Sequence, residues 1–171
     1  MMLHWCWLDL KMISSLEFKS FKGPVILDVP ADPHAMFIVR ELVDKISSKI
    51  GFQTEDTDKL VLAVDEACTN VIRHAYQNSG DKRIVVTFRF DEDRFYIEIR
   101  DFGTGADPAT FKGRDLVDVR PGGLGIHFIK SAVDRIEYES PPDGGMLLKL
   151  IKLIPEQVKR HRQLRQEKTQ N

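Results

Sequence analysis

Cysteine is nearly absent from the 171 residues: Cys6 lies in an irregular N-terminal stretch and Cys68 inside an apolar helical stripe. A disulfide framework is therefore disfavoured, a reducing, cytoplasmic setting is the expectation, and Cys68 reads as core rather than catalytic. Also missing is any apolar run long enough to span a bilayer. The opening MMLHWCWLDLKM has no basic leader and is broken by Asp9 and Lys11, so secretion and membrane insertion are both disfavoured. Charge of one sign is lacking too. With 25 Lys and Arg against 26 Asp and Glu the net charge is −1, which leaves no electrostatic argument for a nucleic-acid or bilayer partner. Neither Gly-x-x-x-x-Gly-Lys-Ser/Thr nor a strand-linked Gly-x-Gly-x-x-Gly occurs, which removes the P-loop and Rossmann readings.

What is present is ordinary globular composition, 42% hydrophobic and 30% charged, in a length that suits one domain with a full two-layer core. Residues 1–22 read as an N-terminal extension whose first eleven look like a mis-assigned translation start, with an apolar docking arm as the weaker alternative. Residues 23–154 form the domain, and 155–171 a polar, basic tail without a catalytic role.

Within the domain, PVILDVP (24–30) has strand character, and a helix opening at Ala31 or Asp32 runs to about Ile50, where Gly51 ends it. Cap chemistry at Thr54 to Thr57 starts a second helix, with Val64, Ala67, Cys68, Val71 and Ala75 as its apolar stripe and an end near Asn78-Ser79-Gly80. RIVVTFRF (83–90) and RFYIEIRD (94–101), joined by Asp91-Glu92-Asp93, have the pattern of a hairpin. After a polar loop, 102–121, LGIHFIKSAVD has helical spacing, and IEYES and MLLKLIKLI are two further strands around PPDGG. Strand, two helices, two strands, helix, two strands is the order of an α+β two-layer sandwich, with helices on one face of a mixed, mainly antiparallel sheet.

The chemistry concentrates in three places. Glu66 and Asn70 are one helical turn apart and share a face, so one helix offers a base and a neutral oxygen suited to Mg²⁺. Asp101 ends a strand at the turn of Gly103 and Gly105, where a carboxylate can accept a hydrogen bond from the exocyclic amine of adenine. Gly122, Gly123 and Gly125 lead into a helix whose N-terminal amides suit phosphate oxygens, and the loop before them has the makings of a lid. Each alone has a plainer meaning: two solvent-facing helix residues, a strand-ending turn, a charged surface loop. Together and in this order they describe an ATP pocket. His74 reads as structural, and Arg114 and Arg120 carry no assignment.

The segments E66-A-C-T-N70-x-x-x-H74-A-Y, D101-F-G-T-G105 and G122-G-L-G-I126 resemble the N, G1 and G2 boxes of the gyrase, histidine-kinase and MutL-type ATPase superfamily. EACTNVIRHAY and GGLGIHFIKSAVDRIEY are most similar to the bacterial anti-sigma factor serine-protein kinases, over roughly residues 23–153. The resemblance implies the histidine-kinase-like ATPase fold and a cytoplasmic protein serine/threonine kinase using ATP and Mg²⁺. Its implied substrate is an anti-anti-sigma (STAS-type) partner, and it implies sequestration of a sigma factor when that partner is unavailable. By position, Glu66 takes the base role, Asn70 the Mg²⁺ role and Asp101 the adenine role. Gly103, Gly105, Gly122, Gly123, Leu124 and Gly125 shape the pocket.

One departure stands out. Members of this family commonly have Gly-Thr after the last turn, whereas Gly145 here precedes Met146 and Leu147, so a hydroxyl contact to adenine is lacking. Two other function classes compete with the kinase. An ATP-gated switch that binds a partner without phosphotransfer keeps the whole pocket. A detached histidine-kinase catalytic domain fares worst, because His4 lies in no helical pattern that would make a dimerisation helix. The run Phe37, Ile38, Val39 cannot all fit one buried helix face, which predicts contact with a second copy of the chain.

Overall fold

The computed structural model describes residues 23–103 and 124–160. The expectations for 1–22, for Gly105, Gly122 and Gly123, for Arg114 and Arg120 and for the tail beyond 160 lie outside the described residues.

Strand β1 (Val25–Pro30) leads through a 3₁₀ turn at Pro33–Ala35 into helix α1 (Met36–Ile50). Asp32 caps the turn, its carboxylate accepting the His34 N–H at 2.8 Å, and Pro33 supplies the φ suited to a first helical position. Helix α1 buries Met36, Val39, Val43, Ile46 and Ile50, the alternating spacing of three and four that puts one stripe toward a core. It stops at Gly51, which adopts φ 104° and donates its N–H back to Ser47 and Ser48, as expected of a left-handed C-cap.

Helix α2 (Thr54–Asn70) buries Thr57, Leu60, Ala63, Val64, Ala67 and Cys68. Its N-cap is Gln53 and no side-chain cap bond forms. Thr57 lies inside the helix among buried residues instead of capping it. Burial pushes the Cys68 thiol up to about 12, so it stays neutral and behaves as a small apolar core residue.

Five strands make an antiparallel sheet in the order β1-β2-β3-β5-β4, from β2 (Arg83–Phe90), β3 (Arg94–Arg100), β4 (Arg135–Glu139) and β5 (Leu147–Leu153). All four pairings are antiparallel, so the mixed character allowed for in the sequence is absent from the described sheet. Alternation selects the buried face: Ile84, Val86 and Phe88 of β2 and Phe95, Ile97 and Ile99 of β3 are almost wholly covered. Phe95 meets Phe52 and Phe88 at centroid distances of 6.1 and 6.3 Å, and burying each such side chain stabilises by about 1.5–3 kcal/mol.

Helix α3 (Leu124–Ala132) contributes Ile129 and Ala132 to that core and packs on α2, which lies between it and α1. At the opposite end of α2, Lys152 of β5 pairs with Asp56 at 2.9 Å, an acidic residue placed where the helix dipole favours it. The tail begins on the domain rather than in solvent. Residues 156–160 are helical, Val158 packs over Gly51, and Lys159 pairs with Asp93 at 2.6 Å.

Candidate active site

Glu66 and Asn70 are half-buried in the last turns of α2, the helix on which α3 packs. Gly125 makes that contact possible. A Cβ at residue 125 would overlap the Glu66 carboxylate, so the first turn of α3 lies directly against it. The sequence reading explained this glycine by phosphate amides; the structure adds an immediate steric cause. Leu124 opens α3.

Beyond Asn70 the helix does not end but widens into a π turn, Val71–Ala75, with the Tyr76 N–H bonded to Val71 O at 3.0 Å. Such turns insert a residue and are frequent at functional sites. The insertion revises the apolar stripe: Ile72 is buried, while Val71 and Ala75 are only partly covered. The chain then closes with Gln77 and Asn78 at φ 51° and 62°, and the Asn78 N–H reaches Ile72 O at 2.8 Å. His74 is exposed, which withdraws the packing role expected for it.

Asp101, 5% exposed, is fixed from several directions. Its N–H donates to Met146 O at 3.0 Å, and its Oδ1 accepts the Gly103 N–H at 2.9 Å. Gly103 in turn lies on the π turn: a Cβ there would come within 3.0 Å of Ala75 O. The turn after β4 meets Asp101 from the other side. Gly145, at φ 69°, lies so close to the Asp101 carbonyl that any side chain would overlap it.

Two residues not singled out in the sequence complete the frame. Tyr76 is buried; its hydroxyl donates to Arg83 O at 2.7 Å and accepts the Phe102 N–H at 2.7 Å. Arg100 bonds the Asp101 carbonyl, Gly144 O at 2.5 Å and the Asp143 carboxylate at 2.9 Å, which holds the Gly144-Gly145 turn against β3. The guanidinium groups of Arg83 and Arg100 lie over the Phe102 ring, 4.4 and 4.6 Å from its centre. The signal for Tyr76 was its place in the motif EACTNVIRHAY, since a buried tyrosine needs a partner for its hydroxyl. Arg100 had no comparable sign.

The Glu66 carboxylate thus borders the first turn of α3 at Gly125, and the Asp101 turn borders the π turn after α2 through Gly103 and Ala75. A cleft of about 210 Å³ beside Arg40, Asp65, Thr69 and Arg73 uses other positions of α2 and includes none of Glu66, Asn70 and Asp101.

Residues 29–152 match the family model described as the histidine kinase-like ATPase domain. The chain belongs to that family. Within it, the chain is 31% identical over 136 residues to serine-protein kinase RsbW of Halalkalibacterium halodurans, covering 75% of this chain and 82% of that protein. It is also 31% identical to serine-protein kinase RsbW of Listeria innocua, over 77% of this chain and 88% of that one. These relatives make it a member of the RsbW family as well. Solved structures of the same fold include the SiaB–SiaC complex of Pseudomonas aeruginosa, with a TM-score of 0.58 at 11% identity over 84% of this chain and 97% of that one. Another holds the RsbU and RsbW domains of a Mycobacterium tuberculosis protein, with a TM-score of 0.54 at 18% identity over 77% of this chain. The chain spans about a third (32%) of the length of that second structure. The antiparallel sheet with helices on one face is accordingly the histidine-kinase-like ATPase fold, as the sequence resemblance implied.

Proposed function

We propose that this chain is an ATP- and Mg²⁺-dependent protein serine/threonine kinase of the anti-sigma type. It transfers the γ-phosphoryl group of ATP to a hydroxyl of a STAS-type anti-anti-sigma partner, and it sequesters a sigma factor when that partner is unavailable. The observation that carries this reading is the seating of the Glu66 carboxylate, one turn from Asn70, against the first turn of α3. A base, a metal ligand and a helix N-terminus then converge where terminal phosphates would lie.

Asp101 receives the exocyclic amine of adenine, and Gly103, Gly105, Gly122, Gly123, Leu124 and Gly125 shape the pocket around the nucleotide. Asn70 would hold Mg²⁺ through its neutral side-chain oxygen, which suits an ion that keeps most of its waters and is otherwise held by phosphates. When bound, the ion neutralises phosphate charge. Glu66 orients the substrate hydroxyl and accepts its proton.

The chain acts as a homodimer in the cytoplasm. Supporting this, Phe37 and Ile38 are 56% and 40% exposed on α1, and no helix among the described residues is long and apolar enough to cross a membrane. Incubation of the purified protein with labelled ATP and the anti-anti-sigma-like proteins encoded near its gene tests the proposal. Label on a partner serine or threonine is expected. Partner binding that responds to ATP with no label transferred would replace the kinase by a nucleotide-gated switch.

A further inference from the structure

We propose that Tyr76 is a positioning residue of the nucleotide site: its hydroxyl locks the Asp101–Gly103 turn to the end of the helix that carries Glu66 and Asn70. The inference rests on the assignment of Asp101 to adenine made above.

The hydroxyl is fully used. It donates to the carbonyl of Arg83, the first residue of β2, and accepts the N–H of Phe102, the residue after Asp101, both at 2.7 Å. One buried group therefore ties three elements, the end of α2, the start of β2 and the end of β3. Burial raises the pKa of the phenol, more than the Phe102 N–H lowers it, so the group stays protonated and can serve both partners. The π turn places it there. The residue inserted at Val71–Ala75 rotates everything after it by about 100° relative to a continuous α-helix, and Tyr76 is the first residue after the insertion. The same turn brings Ala75 onto the bare Cα of Gly103.

The other ties on Asp101 come from the sheet side, through Met146 O and the Arg100 guanidinium. The Tyr76 hydroxyl and the Ala75–Gly103 contact join the Asp101 turn to the π turn that follows α2. The Phe102 N–H belongs to the peptide whose carbonyl Arg100 holds, so loss of its partner leaves that peptide tied from the sheet side, and the Gly103 N–H that fixes the Asp101 carboxylate loosens with it. Such a change weakens recognition of the base equally in ground and transition states. It raises KM and leaves kcat alone.

Tyr76→Phe removes one oxygen atom and little volume. ITP, which carries a carbonyl where ATP has the exocyclic amine, reports whether Asp101 is in place. We expect ATP affinity to fall about tenfold, the scale of one hydrogen bond, and the ATP-to-ITP preference to shrink with it. Turnover at saturating ATP should stay within about twofold of wild type. Ile72→Val, a core change in the same π turn, serves as the control that loses stability without touching the hydroxyl. An unchanged ATP-to-ITP ratio in Tyr76→Phe, or an equal loss in Ile72→Val, overturns the inference and leaves Asp101 as the adenine contact. A wild-type protein with no preference for ATP over ITP removes the Asp101 assignment itself, and this inference with it. Should Tyr76→Phe not fold, amide exchange of the wild type decides: the Phe102 N–H is expected to be protected and to become more so with ATP, and exchange at the rate of an open loop overturns the proposal.

Discussion

The Glu66 carboxylate of α2 lies against the bare Cα of Gly125 in the first turn of α3. The atoms that a new side chain would strike belong to the far end of a flexible glutamate, not to backbone, so Gly125→Ala is relieved by moving Glu66. Its effect on stability should be small, within about 1 kcal/mol, while phosphotransfer drops by at least tenfold because the base is displaced. Thermal unfolding and partner phosphorylation, measured on the same preparation, separate the two. A variant with normal transfer would show that Glu66 has no fixed position to lose.

Gly145 presents the opposite case. It holds φ 69°, and a Cβ there would overlap the Asp101 carbonyl and come 2.5 Å from Arg100 Nη1. Backbone cannot step aside as a glutamate tip can. Left-handed geometry alone costs a non-glycine residue about 1–2 kcal/mol, so Gly145→Ala should lower the melting temperature by several degrees and weaken ATP binding together. Equal stability in calorimetry would mean that the Gly144-Gly145 turn relaxes freely.

Local pattern carried much of this architecture, and nonlocal contact carried the rest. The β2–β3 hairpin was readable because Phe95, Ile97 and Ile99 alternate and because Asp91 can close the turn, its Oδ1 accepting the N–H groups of Asp93 and Arg94. Gly51 was readable as a helix stop, and Glu66 and Asn70 as one face, because both follow from helical spacing. Placing β5 between β3 and β4 was not, since no periodicity names a strand's neighbours. Thr54 and Thr57 resembled caps only while their burial was unknown; core packing took Thr57 instead. The π turn left no trace in the hydrophobic pattern, and so the stripe was drawn through Val71 rather than Ile72. For the same reason the hydroxyl of Tyr76 was passed over.

At the surface, Val39 is fully buried whereas its neighbours Phe37 and Ile38 are not, and Ile26 is 61% exposed on the sheet-edge strand β1. A second copy of the chain is the proposed cover. Phe37→Asp places a charge in that contact, where covering the aromatic ring would stabilise by about 1.5–3 kcal/mol. Light scattering at tens of micromolar, a concentration chosen to match micromolar association, should report a dimer for the wild type and a monomer for the variant. ATP affinity should not change. A monomeric wild type would rule the homodimer out.

Nucleotide binding divides between two residues at opposite ends of the proposed ligand. Asn70→Ala removes the one protein oxygen assigned to Mg²⁺, so calorimetry should show the magnesium-dependent part of ATP affinity disappear. Asp101→Asn exchanges an acceptor for an amide of nearly the same shape and should chiefly erode the preference for ATP over ITP. Wild-type protein with no magnesium-dependent ATP affinity in the micromolar-to-millimolar range usual for enzymes would end the nucleotide reading altogether.

Glu66→Gln isolates chemistry from binding. The amide keeps the length and shape that fit beside Gly125 but cannot take up a proton. Asn70, Asp101 and the glycine turns are untouched, so ATP affinity should hold within about twofold. General-base contributions are typically about 10²–10⁴-fold, and phosphorylation of the partner should fall by an amount of that order. The measurement must be made where chemistry limits turnover, in single-turnover mixing with saturating Mg-ATP, because slow partner release would otherwise hide the loss. Transfer at the wild-type rate under those conditions would remove Glu66 from the mechanism while leaving the pocket in place. Loss of ATP binding along with transfer would instead make Glu66 part of the binding site, and the base would have to be sought on the partner or in the segment between Gly103 and Leu124.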